Sequence, residues 1–314
     1  MNVLEEILPS KLFEILDRHG ICTPKQIILL SFWDIKKLTS LPNGDIMLLK
    51  NIVSEYLMPM CNTCDKLLEQ EDVYKRVTTG CKPIDNILKG GFRRGVITEL
   101  YGESGSGKTQ IGIQAAAFNW CEGIVYLCTE DLFPVKRFDQ IKTYLPNYDS
   151  TVDYGKHVFV EHVTEPQDLL SCIRVRLPSL LSRNKICLIV IDSVAAPFRV
   201  EYNNYIQRAE ELRELAILLT NFAQTHNLAI LCINQVTAAF QEALDVMPAL
   251  GLAWSNMICN RLWLKKTTIN AKLDQEICRS DNNACLRTLS VEFSSELPYC
   301  VAQFVITQRG VHEV

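Results

Sequence analysis

The sequence has no long hydrophobic run and no surplus of basic residues. None of its apolar segments reaches the roughly 18–20 residues that a helix needs to cross a bilayer. Its 36 Asp and Glu residues outnumber its 32 Lys and Arg residues, and the formal net charge is −4 at pH 7. Proteins that hold nucleic acid on their own usually present a basic face. The charge balance therefore gives no support to strong independent binding of DNA, although a local basic patch is compatible with it.

Metal-binding motifs are also missing. Cys61 and Cys64 form a single C-x-x-C pair, and no second pair follows at the spacing of a zinc finger. The five His residues form no metal motif. Many of the 13 cysteines lie in apolar runs, among them Cys128, Cys187, Cys232 and Cys259. Since residues 1–10 lack the layout of a signal peptide, we expect reduced, buried thiols in an intracellular protein.

One phosphate-binding loop stands out in what is present. Residues 102–109 fit the pattern G-x-x-x-x-G-K-[ST], between an apolar, β-rich run and a helix-compatible run. This strand–loop–helix setting favours a true nucleotide site over a chance match. Glycines let the backbone approach an anion, and successive N–H groups at a helix start bind phosphate oxygens. The predicted nucleotide contacts are Gly102, Glu103, Ser104, Gly105, Ser106, Gly107, Lys108, Thr109 and Gln110.

Two residues of this loop indicate the chemical class of the ligand. Lys108 would bridge the β- and γ-phosphates of a nucleoside triphosphate, and the hydroxyl of Thr109 would ligate Mg²⁺. The expected cofactors are therefore ATP and Mg²⁺.

A second nucleotide signature follows about eighty residues later. The apolar residues 187–191 lead directly into Asp192. Ligands of open α/β sheets bind at the carboxyl ends of the strands, where this carboxylate is expected. We predict that Asp192 holds Mg²⁺ through water.

Two further strand ends place polar side chains at the same predicted edge. Glu130 follows the apolar run 123–129, and Gln235 follows the run 228–234. Glu130 is a candidate general base for a water that attacks the γ-phosphate, and the amide of Gln235 could bind that phosphate. From spacing alone, a solvated turn at Glu130 and a capping pair at Asn234 and Gln235 are about equally well supported.

The element pattern predicts an α/β protein with a small all-α N-terminal domain. Apolar strands without clean alternation, separated by helical stretches, indicate a mainly parallel sheet with helices on both faces, and the C-terminal part turns β-rich. The predicted domains are a helix-hairpin-helix-like domain at 1–57, a polar linker at 58–76 and the α/β core at 77–314.

The N-terminal domain is predicted to consist of four short amphipathic segments. The first ends near Gly20, the second starts at Thr23 with Pro at the first helical position, the third starts at Ser31, and the fourth ends near Leu57. Such modules hold DNA backbone or another protein, and a protein-docking or solvated bundle is at least as well supported.

The longest motif-bearing stretch resembles a known family. The matching segments are 77–85, 88–92, 95–110, 126–130, 189–193 and 234–235. In this order they resemble the eukaryotic RecA-like strand-exchange recombinases, and the similarity covers about residues 77–310. Segments 128–134, 191–199 and 231–237 are similar to one paralogue of that family in particular. The resemblance implies a RecA-like P-loop ATPase core and DNA-dependent ATP hydrolysis, with ATP bound between neighbouring protomers.

The same resemblance assigns roles and partners. It makes Glu130 the catalytic glutamate, Gln235 the γ-phosphate sensor and Arg137 the arginine that packs against adenine. It implies homologous-recombination repair in the nucleus, with the cytoplasm as an alternative. The implied partners are the C-type recombinase paralogue in a heteromer, a recombinase filament, and single-stranded or branched DNA bound through the complex, with no membrane.

The chain departs from the family at the segments that contact DNA or a neighbour. The first DNA loop, 199–213, mixes acidic and basic residues, and the second, 236–256, contains no Lys or Arg and carries Glu242 and Asp245. Phosphate neutralisation supplies most sequence-independent DNA affinity. Phe240 or Trp254 could stack on a base, although packing is the better-supported role. Asn256 replaces a family histidine.

The signal for self-polymerisation, Phe-x-x-Ala, is also missing, and the nearest stretch is 61–64. These departures favour an ATP-binding accessory subunit that assists or stabilises recombinase filaments on single-stranded DNA. The alternatives are a self-sufficient, filament-forming, DNA-dependent ATPase with strand-exchange activity, and a nucleotide-locked structural subunit without turnover.

Overall fold

A computed structural model of the chain describes residues 3–59, 61–69, 75–199, 205–238, 246–272 and 283–314. The chain divides into two compact units, Met1–Val73 and Tyr74–Val314. No helix within the described ranges is both long and apolar enough to pass through a membrane. The domain boundaries drawn from the sequence at 57 and 76 stay predictions.

The first unit is a bundle of short helices around one apolar core. The helices that surround this core are α1 (Val3–Ile7), α2 (Ser10–Arg18), α3 (Pro24–Leu29), α4 (Phe32–Thr39) and α5 (Asn43–Leu57), and α6 (Cys64–Glu69) follows them in the chain. The predicted starts at Thr23 and Ser31 are confirmed, because each side chain caps its helix within a capping box. The first predicted segment is two helices rather than one. Pro9 separates them, since it restricts the backbone of the residue before it away from the helical region.

The second unit contains these strands: β1 (Arg76–Val77), β2 (Phe92–Arg93), β3 (Ile97–Tyr101), β4 (Ile124–Cys128), β5 (Val158–His162), β6 (Leu188–Asp192), β7 (Ala229–Asn234), β8 (Val236–Ala238), β9 (Val246–Pro248), β10 (Asn260–Lys272), β11 (Asn283–Ser294), β12 (Val301–Thr307) and β13 (Gly310–His312). Its helices are α7 (Lys82–Ile87), α8 (Lys108–Phe118), α9 (Val135–Lys142), α10 (Pro166–Ser171), α11 (Leu177–Leu181), α12 (Tyr205–His226) and α13 (Gly251–Ser255).

Nine of these strands form one mixed sheet in the order β13-β12-β11-β10-β3-β7-β6-β4-β5. The strands from β10 to β5 pair in parallel, and β10 to β13 pair in antiparallel fashion. Alternate residues of the central strands belong to two different apolar cores, one on each face of the sheet. The predicted α/β architecture with a β-rich C-terminal part is confirmed.

The strand order brings the carboxyl ends of four strands together. In register, Tyr101 of β3 is next to Asn234 of β7, and Asp192 of β6 is next to both Ile233 of β7 and Cys128 of β4. The segments that leave these strands therefore start at a single edge, which is where ligands of such sheets bind.

Candidate nucleotide-binding site

The loop between β3 and α8 has the backbone that its glycines predict. Gly107 has a φ of 112° and sits immediately before the first residue of α8. A Cβ atom on Gly107 would lie 2.3 Å from Cδ1 of Ile306, and one on Gly102 would lie 2.2 Å from the carbonyl oxygen of Leu264. A side chain at position 102 would collide with the backbone of β10, and the φ of Gly107 is one that residues with a Cβ rarely adopt, so glycine suits both positions.

Lys108 lies inside the curve of this loop. Its Nζ donates to the carbonyl oxygen of Gly102 at 2.7 Å and to that of Glu103 at 2.9 Å. Burial lowers the pKa of the ammonium group, while the charges of Asp192 and Glu130 act in the opposite direction. Among the described residues its hydrogen-bond acceptors are these two neutral carbonyls, and a partly buried cation in this position is well suited to bind an anionic ligand.

The two predicted magnesium ligands lie side by side. Thr109 and Asp192 line the same cavity, and Asp192 accepts a hydrogen bond from the phenol of Tyr126 at 2.9 Å. Burial raises the pKa of Asp192, and the hydroxyls of Thr109 and Tyr126 together with Lys108 counteract the rise. A hydroxyl and a carboxylate are oxygen donors of the kind that Mg²⁺ prefers.

Glu130 and Gln235 also meet at this edge. The side-chain amide of Gln235 donates a close hydrogen bond to Oε1 of Glu130. Glu130 is exposed at a bend, and Oδ1 of Asn234 accepts the backbone N–H of Gln235, so the roles of Glu130 and Gln235 in the reaction stay predictions. Both residues line a cavity of about 720 Å³ together with Lys108, Thr109 and Asp192. This volume falls within the range of ligand pockets.

Arg137 lies beside the loop helix rather than in the cavity wall. Its Nε donates to the side-chain oxygen of Gln110 at 2.7 Å, and its Nη2 donates to the carbonyl oxygen of Thr307 at 2.6 Å. Gln110 itself lines the cavity. Contact between Arg137 and an adenine base stays a prediction.

The cavity wall includes Arg287, which the sequence analysis did not identify. Arg287 of β11 donates from Nε to the carbonyl oxygen of Ser106 at 2.8 Å and from Nη1 to that of Cys285 at 3.0 Å. Burial lowers the pKa of its guanidinium. Among the described residues no carboxylate forms an ion pair with it. No motif could have identified Arg287, because it is 181 residues from Ser106 in the chain.

The structure describes parts of the two predicted DNA loops and tests one of the predictions made for them. Trp254 of the second loop is fully buried, so the prediction that it packs rather than stacks on a base is confirmed. Arg199, at the start of the first loop, lines the nucleotide cavity. Four further residues of these loops lie outside the described residues: Glu201, Phe240, Glu242 and Asp245.

The cysteines largely follow the expectation of buried, reduced thiols. Cys128, Cys187 and Cys232 are buried and unpaired, whereas Cys259 is only partly buried. Cys61 and Cys64 are exposed and likewise form no disulfide.

Comparison with known proteins adds to this geometry. Residues 70–314 match the model of the Rad51 family. DNA repair protein XRCC3 of Mus musculus is 31% identical over 328 residues, which cover 94% of this chain and 93% of that protein. XRCC3 of Bos taurus is 32% identical over 318 residues, covering 91% and 90%. DNA repair protein RAD51 homolog 3 of Dictyostelium discoideum is 28% identical over 304 residues, covering 87% and 75%.

Proposed function

The chain belongs to the Rad51 family, and on that premise we propose that it is an ATP-binding subunit of a heteromeric complex in homologous-recombination repair of DNA double-strand breaks. The family resemblance read from the sequence is confirmed, and the paralogue in question is XRCC3. In its complex the subunit would assist or stabilise recombinase filaments on single-stranded DNA. The observation that carries the proposal is the meeting of Lys108, Thr109, Glu130, Asp192 and Gln235 around one cavity.

The residues of the cavity fit a magnesium nucleotide. Lys108 supplies a cation for phosphate oxygens, and Thr109 and Asp192 supply the oxygen donors that Mg²⁺ prefers. When bound, Mg²⁺-ATP supplies the phosphoryl group that is transferred to water.

Each side chain has a distinct task in this proposal. Lys108 would exchange the carbonyl oxygens of Gly102 and Glu103 for the β- and γ-phosphates. Thr109 would ligate Mg²⁺ directly, and Asp192 would hold it through water. Arg137 would pack against adenine.

Glu130 and Gln235 act at the γ-phosphate. Glu130 orients the attacking water and accepts its proton, and Gln235 donates its amide hydrogen to the γ-phosphate. Their mutual hydrogen bond supports this assignment because it places base and sensor within reach of the same atoms.

We propose the C-type recombinase paralogue as the heteromer partner, with action in the nucleus. The absence of Lys and Arg from 236–256 supports DNA contact through the complex rather than through this chain alone. The name of the Dictyostelium relative, RAD51 homolog 3, and those of the XRCC3 relatives are compatible with assembly among paralogues.

The test is a comparison of the protein alone with the protein plus that partner. Molecular mass and DNA-stimulated ATP hydrolysis are measured on the same samples, with a Lys108→Ala variant as the control for contaminating ATPases. The proposal is supported if the protein alone has a low mass and hydrolyses ATP slowly, and if it forms a heteromer of defined mass with faster hydrolysis when the partner is added. A protein that polymerises alone and is strongly stimulated by DNA indicates the self-sufficient recombinase. A defined heteromer that binds ATP without turnover indicates a structural subunit.

A further inference from the structure

A second cavity, of about 370 Å³, lies at the opposite edge of the sheet from the nucleotide site. It is formed by the end of α8, the segment that leads from α8 to β4, and the segment that leads from α9 to β5. These segments reach the amino ends of β4 and β5, whereas the nucleotide site lies at the carboxyl ends of the strands. The proposed reaction uses none of the lining residues, which are Phe118, Trp120, Leu145, Pro146, Asn147 and Tyr154.

Aromatic rings form much of the wall of this cavity. Trp120 and Tyr154 meet edge to face, with ring centroids 4.9 Å apart. Tyr148 stacks on Tyr154 at a centroid distance of 5.5 Å and continues the aromatic surface beyond the cavity. Tyr154 is buried, Phe118 and Trp120 are partly buried, and Tyr148 is 36% exposed. Such a surface binds flat apolar groups and offers polar N–H and O–H groups at its rim.

Three polar groups at this surface have no partner. The indole N–H of Trp120, the side-chain amide of Asn147 and the phenol of Tyr148 form no hydrogen bond with the rest of the described chain. Asn147 has a φ of 59° and follows Pro146 in a turn, which is closed by the backbone N–H of Tyr148 donating to the carbonyl oxygen of Leu145 at 3.1 Å. Pro followed by a residue with positive φ is typical of a type II turn. The turn leaves Asn147 and Tyr148 exposed.

Two carboxylates flank the aromatic surface. Asp149 follows Tyr148, and its backbone N–H donates to the phenol oxygen of Tyr154 at 2.9 Å, while Asp153 directly precedes Tyr154. Both carboxylates are exposed, and neither forms an ion pair within the described ranges. Hydrogen bonds from the backbone and the side chain of Thr151 lower the pKa of Asp149. This carboxylate is therefore ionised at neutral pH.

Two lysines are close to these carboxylates in the chain. The ammonium group of Lys142 is paired with Asp139 at 2.6 Å, and Lys156 follows Tyr154 by two positions. Over residues 139–156 the three aspartates still outnumber the two lysines. The surroundings of the cavity are thus slightly negative, which favours a partner segment that carries a cation.

We propose that this cavity binds a proline-rich segment of a partner protein that has an arginine or lysine beside its prolines. Such a segment adopts the polyproline II conformation, in which the backbone carbonyls have no internal partners. Proline rings pack on aromatic side chains, as in other aromatic-lined grooves. The free donors of Trp120, Asn147 and Tyr148 bind the carbonyl oxygens, and Asp149 and Asp153 attract the cation.

A helical partner fits this chemistry less well, because most of its carbonyls are already bonded within the helix. The inference goes beyond the proposed function and does not depend on nucleotide binding. It adds a surface through which the chain recognises a partner at the edge of the sheet away from the reaction.

The indole N–H signals of the full chain in NMR spectra test the inference. The chain has four tryptophans, so protein with isotope-labelled tryptophan gives a simple spectrum. The signal of Trp120 is assigned by its loss in Trp120→Phe. The probe is the synthetic peptide acetyl-Arg-Pro-Leu-Pro-Pro-Leu-Pro-amide. One control peptide has alanine in place of every proline, and a second has glutamate in place of the arginine.

We expect the signal of Trp120 to shift progressively with the probe peptide, while that of the buried Trp254 stays unchanged. The alanine peptide should cause no shift, because it does not present the proline rings in a preformed extended chain. The glutamate peptide should bind roughly threefold more weakly, as expected for exposed charges.

Variants locate the binding surface. Tyr148→Ala removes an exposed ring and a donor, so affinity for the probe peptide should fall by roughly tenfold. Tyr299→Ala, an exposed tyrosine that does not line the cavity, is the matched control and should have no effect. The double variant Asp149→Asn and Asp153→Asn should bind the arginine and glutamate peptides equally.

Several results would overturn the inference. It is wrong if the probe peptide leaves the Trp120 signal unchanged at millimolar concentration, or if the alanine peptide binds as well as the probe. Unchanged affinity in Tyr148→Ala would place the peptide elsewhere. A Trp120 signal that shifts with protein concentration alone would show that a second copy of the chain covers the cavity. A shift with oligothymidylate and not with the peptide would assign the aromatic surface to nucleobases.

Discussion

The phenol of Tyr126 in β4 donates a hydrogen bond to Oδ2 of Asp192 in the neighbouring strand β6, at 2.9 Å. Tyr126 is fully buried and also packs edge-on against Phe133, with ring centroids 4.9 Å apart. The buried side chain of Tyr126 thus orients the carboxylate of Asp192, which is predicted to hold Mg²⁺. Such outer contacts of a metal ligand commonly affect metal affinity.

Removal of this phenol should weaken magnesium-dependent binding. In Tyr126→Phe we expect the affinity for Mg²⁺-ATP to fall by roughly tenfold, because Asp192 loses the donor that fixes its rotamer. The free energy of unfolding should fall by about 1–2 kcal/mol. Calorimetric titration and urea unfolding measure the two effects. Tyr154→Phe, which loses a phenol contact to the backbone of Asp149, is the matched control and should leave nucleotide affinity unchanged.

Replacement of Lys108 tests the assignment of the loop. Lys108→Ala removes the principal cationic contact to the phosphates, and we expect ATP affinity to fall by roughly a hundredfold. Lys82→Ala, an exposed lysine in α7, is the control. Unchanged ATP affinity in Lys108→Ala would mean that the nucleotide does not bind at this loop.

Replacement of Glu130 should separate binding from hydrolysis. Glu130→Gln keeps the shape of the side chain and an oxygen for Gln235 but removes the base. We expect ATP affinity to be retained and the hydrolysis rate of the assembled complex to fall by roughly 10²–10⁴-fold. Asp131→Asn, at the adjacent exposed position, controls for the loss of one negative charge at this edge. Undiminished turnover in Glu130→Gln would remove Glu130 from the catalytic role.

Arg287 should support the loop from the opposite wall. Arg287→Ala releases the carbonyl oxygen of Ser106 and takes a positive charge from the cavity, so we expect ATP affinity to fall by roughly tenfold. Lys266→Ala in the neighbouring strand β10 removes an exposed charge and should have no effect. Equal affinities of wild type and Arg287→Ala would show that the loop is fixed without this contact.

The cysteines should fall into two classes of reactivity. Burial raises the pKa of Cys81, Cys172 and Cys187 to about 12, so at pH 8 only about one thiol in ten thousand is ionised. Cys22, Cys61, Cys64 and Cys121 are exposed. We expect a thiol reagent at pH 8 to label the exposed group rapidly and the buried group only after unfolding, as mapped by mass spectrometry. Rapid labelling of Cys187 in the folded protein would contradict the fold around β6.

The parts of the site that could be predicted are those encoded by local pattern. Lys108 and Thr109 follow from a contiguous motif, and Asp192 and Gln235 follow from apolar strands that end in a polar residue. Because parallel strands align their carboxyl ends, the sequence was sufficient to predict that these residues lie at one edge.

The remaining contacts depend on which distant strands pair. Arg287 reaches Ser106 only because β11 pairs with β10 and β10 pairs with β3. Glu99 of β3 likewise accepts hydrogen bonds from Asn234 and Arg261 only because β7 and β10 are the neighbours of β3. No local pattern in the sequence predicts this strand order. The division of the first helical segment at Pro9 is different. Pro9 is visible in the sequence and restricts the backbone before it. However, the helical spacing of apolar residues continues across Pro9, and this pattern favoured a single helix.

The wall formed by Arg287 and Ile306 has a genetic consequence. Both residues are encoded far downstream of the phosphate loop, and Gln114 of α8 is tied to the backbone of Val311, 197 positions later. A premature stop codon between β7 and β11 would leave every motif residue of the loop, Asp192 and Gln235 intact. The product would nevertheless lack Arg287 and Ile306, which pack against the phosphate loop. We expect such nonsense alleles to be null for nucleotide binding, although their coding sequence retains all of the signature motifs.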